Sequence, residues 1–527
     1  MYTSQPKARE VNQFSRWKMA CVAFLLCIAA ALAASAQTFT TLASFTTSGW
    51  DPENTLVQGA DGDFYGVTLV GGANQSICSS SGYGCGTVFK VSPTGTITIL
   101  HKFCSHTPCT DGFSPSGALV RGGDGNFYGT TPSGGANSSA THCSKGCGTI
   151  FRITPSGTLT TLYSFCALAN CADGYSPLAL MQALNGGSSY GSFYGTTSGG
   201  GASNLGSVFS LTPQGQLNTL YSFGTDFFAA GQLIQTPGAN FYGAAPAGPG
   251  NVGNCSAGNN CGAIFRMTPT GTVTPLQIFS NATGPSSPLL QGTDGLFYGT
   301  AIWGGAGILQ CSPYGCGTAF KISPAGVVTT LHNFCSLANC TDGSGPGAGL
   351  TLATDGNFYG TTGGTFYAAC NGGANNCPGT LFVMTTSGVL TTLHVFCAQA
   401  NCADGGATYA GLLQSTNGKF YGTTPTGGAN TCIGPNSCGT VFSLDVGLGP
   451  FVTFLVSTGR VGQTVGILGQ GLTGTTSVSF NGTAAAFTVK SDTFLTANVP
   501  AGATTGTVQV ATPSGTLSSN IVFRVTP

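Results

Sequence analysis

The tripeptide Phe-Tyr-Gly occurs seven times, starting at Phe64, Phe127, Phe193, Phe241, Phe297, Phe358 and Phe420. The spacing averages about 59 residues, and a unit of that size buries its apolar surface only against its neighbours. Two more markers keep the same count. Gly-Thr-Val-Phe or a close variant ends at Phe89, Phe151, Phe209, Phe265, Phe320, Phe382 and Phe442. Thr-Leu-x-x-Phe or a close variant ends at Phe45, Phe103, Phe165, Phe223, Phe279, Phe334 and Phe396.

Each unit reads as four short strands. In the second copy they are Ala118-Leu119-Val120, then 126–131, 148–153 and 158–165. Asp124-Gly125 supplies the tight turn between the first two, and Pro155-Ser156-Gly157 the turn between the last two; Asp-Gly pairs suit hairpins because glycine accepts a positive φ. Antiparallel strands with apolar residues on both faces fit the blades of a β-propeller. The seventh unit has a third strand at Thr440 to Leu444 and no fourth, while an unpartnered fourth strand, Thr40 to Phe45, stands near the amino end. Pairing these two would close a ring and remove the exposed edges of an open stack. The fold expected is an all-β, seven-bladed β-propeller over 37–447, closed by the N-terminal strand.

Composition sets the compartment. Lys7, Arg9, Arg16 and Lys18 precede an apolar run from Met19 to Ala33, and Ala34-Ser35-Ala36 ends it. That is the layout of a secretory signal peptide over 1–36, with no membrane span expected after its cleavage. Charged residues are only 6% of the chain and net charge is zero, which disfavours nucleic acid as a partner. Beyond Cys21 and Cys27, the cysteines fall into ten short-range pairs. They are Cys78 with Cys85, Cys104 with Cys109, Cys143 with Cys147, Cys166 with Cys171, Cys255 with Cys261, Cys311 with Cys316, Cys335 with Cys340, Cys370 with Cys377, Cys397 with Cys402, and Cys432 with Cys438. No C-x-x-C knuckle occurs and the histidines do not cluster beside the cysteines, so no metal site is expected. Local disulfides in an exported chain are the better reading. In a meander, the loops from strand two to three and from strand four to the next unit share one side. Every cysteine pair lies in these loops, so one face is long, variable and stapled, and the other carries tight turns.

At these residues the chain resembles the GloVer tandem-repeat family of exported bacterial proteins. The carriers are Asp124-Gly125-Asn126-Phe127-Tyr128-Gly129-Thr130-Thr131, then Gly134-Gly135, then Gly148-Thr149-Ile150-Phe151. The resemblance spans roughly 38–446 and implies a surface or secreted setting, with no defined activity. From Pro450 the cysteines stop. Gly462, Gly466, Gly469, Gly471, Val478-Ser479-Phe480-Asn481-Gly482 and Val499-Pro500-Ala501-Gly502-Ala503 resemble an IPT/TIG domain. That resemblance implies an immunoglobulin-like sandwich over 448–527, of a kind that serves as a spacer or interaction unit.

The acidic residues are few, and most sit in recurring turns. Asp61, Asp124, Asp294 and Asp355 occupy hairpins; Asp111, Asp173, Asp342 and Asp404 follow a cysteine pair as Cys-x-Asp-Gly. Turn duty explains both sets. The second set also leads into the innermost strand, where those aspartates would ring the channel mouth and bind a cation or sugar hydroxyls. Asp51, Glu53, Asp63 and Asp226 are the acids least explained by the repeat and the place to look for a glycosidase pair. His101, His332 and His394 share one repeat position with Tyr163 and Tyr221, which marks them as packing residues. Trp50 and Trp303 are candidate sugar platforms, though either would more commonly be plain packing. No catalytic residue and no cofactor are expected. The function expected is a non-catalytic exported or cell-surface binding and adhesion protein, with a glycan or extracellular protein as partner on the stapled face. The alternatives are a carbohydrate-active propeller enzyme and a purely structural envelope component. Oligomeric state is not legible.

Overall fold

The computed structural model describes residues 37–526 apart from 74–76, 79–82, 140, 185–190, 225–230, 246–261, 280–284, 286, 306–310, 312–314, 365–378 and 433–437. The expected signal peptide and Asp226 lie outside the described residues. So do the expected pairs of Cys255 with Cys261 and of Cys370 with Cys377. Among the described residues the chain is all-β, with three short 3-10 segments at Ala169–Cys171, Ala338–Cys340 and Ala400–Cys402. No helix among them is long and apolar enough to cross a membrane.

Seven four-stranded antiparallel sheets fill the repeat region, in a propeller-like arrangement. Six pair their strands in chain order, as in the second: Val120–Arg121, Phe127–Thr131, Thr149–Ile153 and Leu159–Ser164. The seventh takes its outer strand from the other end of the chain. Thr38–Ser44 pairs antiparallel with Thr440–Asp445, from Thr38 opposite Asp445 to Ser44 opposite Thr440. The Gln37 side chain also donates to the Leu393 carbonyl, and Phe39 stacks on His394 at 3.7 Å. The expected pairing of the two ends is present.

The repeat markers earn their places by packing. Gly125 turns the hairpin at φ 80°, and the Asp124 carboxylate accepts the Asn126 N–H at 3.1 Å and the Tyr128 hydroxyl at 2.9 Å. Asp61, Asp294 and Asp355 hold Tyr65, Tyr298 and Tyr359 in the same way. Gly129 faces Phe151 across the strands, and a Cβ there would sit 2.5 Å from the ring tip of Phe151. The glycine makes room for the marker phenylalanine.

Tyr and Phe of the tripeptide join the sheets. Tyr65 packs on Phe127 with ring centroids 4.0 Å apart, and the contact repeats as Tyr128–Phe193, Tyr194–Phe241, Tyr242–Phe297, Tyr298–Phe358 and Tyr359–Phe420. Tyr421 on Phe64, at 4.0 Å, brings the series back to its start. A second circuit joins the other two phenylalanine markers, for example Phe165–Phe209, and Phe45–Phe89 crosses the junction of the chain ends. Each such pair contributes about 1 kcal/mol beyond the area it buries.

Residues from 451 onward form two further four-stranded sheets and a parallel pair, Thr458–Arg460 with Arg524–Thr526. Val465, Ile467 and Leu495 of one sheet meet Val478, Phe480 and Val508 of the other in one core. This unit sits on the tight-turn side of the ring. Thr493 Oγ1 donates to the Ala60 carbonyl at 2.8 Å, the Arg121 guanidinium to that of Phe454 at 2.6 Å, and Thr458 Oγ1 to that of Leu184 at 2.5 Å. Arg524 reaches the Pro237 carbonyl and Gln470 the Thr416 hydroxyl, each at 3.2 Å. The first, second, third, fourth and seventh sheets are all engaged.

Candidate functional site

The innermost strands are short, and the segments entering them surround an axial cavity of about 470 Å³. Glu53, Ser116, Gly347 and Tyr409 stand at one repeat position, three residues before the buried leucines Leu56, Leu119, Leu350 and Leu412, and all four line the cavity. Glu53 is its one acidic lining residue among the described residues.

The segment carrying Glu53 differs from its counterparts. Asp51 donates its N–H toward the Cys438 carbonyl, as Ser114, Ser176 and Gly345 do to Cys85, Cys147 and Cys316. All four take a positive φ: 65° at Asp51, 54° at Ser114, 53° at Ser176 and 62° at Gly345. Each precedes a proline, at 52, 115, 177 and 346. The repeat therefore prescribes a small or neutral residue in a left-handed bend, and the first unit places a carboxyl there.

Both acids are partly buried. Burial, then repulsion from Glu53, raises the Asp51 pKa from 3.8 to about 7, and burial raises Glu53 as well. Tyr409 is raised by burial and by the Glu53 charge. Next to Asp51, the buried Trp50 indole N–H has no hydrogen-bond partner. Trp50 packs against Tyr83 and is not a surface platform; Trp303 is partly buried. Two neighbouring carboxyls with raised pKa values, one of them lining a cavity of ligand size, form a candidate acid–base grouping.

The four aspartates singled out for binding are turned into their own loops. Asp342 accepts from His332 at 2.9 Å, from the Ser336 hydroxyl at 2.8 Å and from the N–H groups of Ser336 and Leu337. Asp404 repeats this with His394, Ala398 and Gln399, and Asp173 with Tyr163, Ala167 and Leu168. All three residues are fully buried. Asp111 binds His101 and the Cys104 N–H and is partly exposed. Burial alone would raise Asp342, but the hydrogen bonds from His332 and Ser336 outweigh it and hold the carboxyl below its ordinary value. Asp63 pairs with Lys90 at 2.8 Å and stays apart from the cavity.

The loops themselves are bridged. Cys78–Cys85, Cys104–Cys109, Cys143–Cys147, Cys166–Cys171, Cys311–Cys316, Cys335–Cys340, Cys397–Cys402 and Cys432–Cys438 are disulfides. These are eight of the ten expected pairs; Cys255, Cys261, Cys370 and Cys377, which make up the other two, fall outside the described residues. Bridges in such number mark an exported chain.

A family model described as the Gloeobacter/Verrucomicrobia repeat matches residues 29–192 and 140–364, more than half of the sequence. The chain belongs to the Gloeobacter/Verrucomicrobia repeat family. No curated protein matches it. Among solved structures, this repeat protein is similar to a gluconolactonase of Xanthomonas campestris, at 13% identity and a TM-score of 0.35, covering 79% of this chain and 92% of that one. It is also similar to the PQQ-bound aldose sugar dehydrogenase of Streptomyces coelicolor, at 14% identity and a TM-score of 0.38, covering 63% and 94%. The expectation of a non-catalytic binding and adhesion protein is corrected here. Of the four acids the repeat does not explain, Asp51 and Glu53 are partly buried with raised pKa values in this Gloeobacter/Verrucomicrobia repeat protein, and Glu53 lines the axial cavity. What sequence reading missed is Tyr409, whose signal was its alignment with Glu53 three residues before a repeat leucine.

Proposed function

We propose that this protein is a carbohydrate-active hydrolase whose reaction is carried by Glu53, which lines the axial cavity, and by Asp51 two residues before it. The observation that carries the reading is the Asp51 carboxyl, raised to about 7 at a bend where the second, third and sixth units hold Ser or Gly. An acid with that pKa gives a proton to a leaving sugar oxygen at neutral pH, while the second carboxylate activates water or attacks the anomeric carbon. Tyr409 faces the same space and orients the sugar hydroxyls. The architecture proposed around the site is a seven-bladed β-propeller over 37–447, followed by an immunoglobulin-like unit of IPT/TIG type over 448–527. Cleavage of the 1–36 leader delivers it to the periplasm, the cell surface or the medium.

Incubation of the purified protein with a panel of polysaccharides and sugar lactones, read as new reducing ends or released acid, tests this. Asp51→Asn and Glu53→Gln should each lower turnover at least about 100-fold while remaining folded. Full activity in both variants, or no turnover across the panel, overturns the assignment.

A further inference from the structure

The lack of C-x-x-C knuckles and of histidines clustered beside the cysteines argues against a metal site, yet the fold joins sulfurs that the sequence keeps apart. In the second unit, Cys143 and Cys147 belong to the loop between strands two and three, and Cys166 and Cys171 to the loop after strand four. Their four Sγ atoms all lie within 4.8 Å of one another. The arrangement recurs in part: Cys78 meets Cys104 and Cys109 in the first unit, and Cys311 and Cys316 meet Cys335 in the fifth. We propose that the second-unit cluster is a four-thiolate site for zinc when its two disulfides are reduced.

The geometry is close to what zinc needs. Tetrahedral zinc with Zn–S bonds of about 2.3 Å sets its sulfurs about 3.8 Å apart. Reduction lengthens the two bonded separations toward that edge, and the others already lie within 4.8 Å. The spacings Cys-x3-Cys and Cys-x4-Cys fall within the range of structural zinc ligands. The loops are also tied together without their bridges. Asn137 Nδ2 donates to the carbonyls of Ser164 at 2.9 Å and Phe165 at 3.1 Å, and the Ala136 N–H to the Ser164 hydroxyl. Asp173 holds the second loop through Ala167 and Leu168. Cys143 and Cys166 are partly exposed, which gives reductant and metal a way in, while Cys147 and Cys171 are buried.

The chemistry balances with a phosphine as reductant. Each disulfide gains two electrons and two protons, and the phosphine leaves as its oxide with oxygen drawn from water. Four thiols then bind one divalent ion and release four protons, so binding strengthens as pH rises.

The test uses the whole protein, reduced by a water-soluble phosphine under argon and titrated with cobalt(II) as the spectroscopic stand-in for zinc. The expected result is the intense visible absorption of tetrahedral cobalt thiolate, displaced by zinc. Cys143→Ser with Cys147→Ser should lose one equivalent relative to the unsubstituted protein. Cys166→Ser with Cys171→Ser removes the other loop, and serves if the first double variant does not fold. An octahedral cobalt spectrum in the unsubstituted protein, or equal stoichiometry in a folded double variant, overturns the proposal.

Discussion

Single side chains in this protein are held to their identities by what lies over them. Gly129 has Phe151 where its Cβ would be, so Gly129→Ala must push a fully buried ring out of its rotamer. The cost expected is about 2 kcal/mol, read as a lower denaturation midpoint at unchanged slope. Asp342 carries a different load. Its depressed pKa means that the folded state favours the carboxylate, so its contribution is complete above the ordinary value of 3.8 and is lost as pH falls below it. Asp342→Asn should cost about 1–3 kcal/mol at pH 7, and the gap from the unsubstituted protein should close in melts taken toward pH 2. Asp51 runs the other way. Its folded pKa of about 7 lies above the ordinary 3.8, so the folded state prefers the proton and stability declines as pH climbs between those values. Asp51→Asn should therefore melt higher at pH 8, by on the order of 2 kcal/mol after allowance for solvent access, and equal the unsubstituted protein near pH 4. No gain at pH 8 would show that Asp51 ionises freely.

At the scale of strands, the repeat was largely legible. Phe127, Tyr128 and Phe151 recur at fixed offsets because each fills a contact made once per sheet, and such contacts print themselves on a sequence. The supply of the seventh sheet's outer strand from the amino end was legible too, because the surplus strand and the missing one were both visible. The innermost strands were harder to bound, since pairs such as Val120–Arg121 are only two residues long and set by their neighbours. The cysteine-loop aspartates were placed correctly in their turns. Their burial was not readable, because it depends on a His or Tyr ten residues upstream that arrives through the sheet. Asp51 and Glu53 stood out as exceptions to a pattern, while Tyr409, hundreds of residues away, was linked to Glu53 only by their shared offset from a repeat leucine. Deleting residues 37–45 should leave Thr440–Asp445 as a bare edge. We expect that variant to migrate as oligomers in size-exclusion chromatography, with the intact protein smaller and uniform under the same conditions.

The molecule as a whole is a ring with a second unit laid across its tight-turn side. The contacts of that unit run from the seventh sheet through the first to the fourth, more than half of the circle. Arg121 is central to them: it reaches the carbonyls of Gln58 and Phe454, and burial lowers its pKa to about 10. Five other sheets place glutamine at this position, at 58, 182, 235, 291 and 414. Arg121→Ala strands two acceptors and should cost about 1–3 kcal/mol. Scanning calorimetry should then resolve two transitions where the intact protein gives one; a single unshifted peak would mean that the two parts are not coupled through Arg121. The strand from Thr38 to Ser44 carries a consequence for biosynthesis. It leaves the ribosome well before its partner, ending at Asp445, which is made some four hundred residues later. Contacts so distant in sequence form slowly. A nascent or shortened chain lacking that partner has nowhere to dock its leading end, so completing the circle certifies that the message was read through.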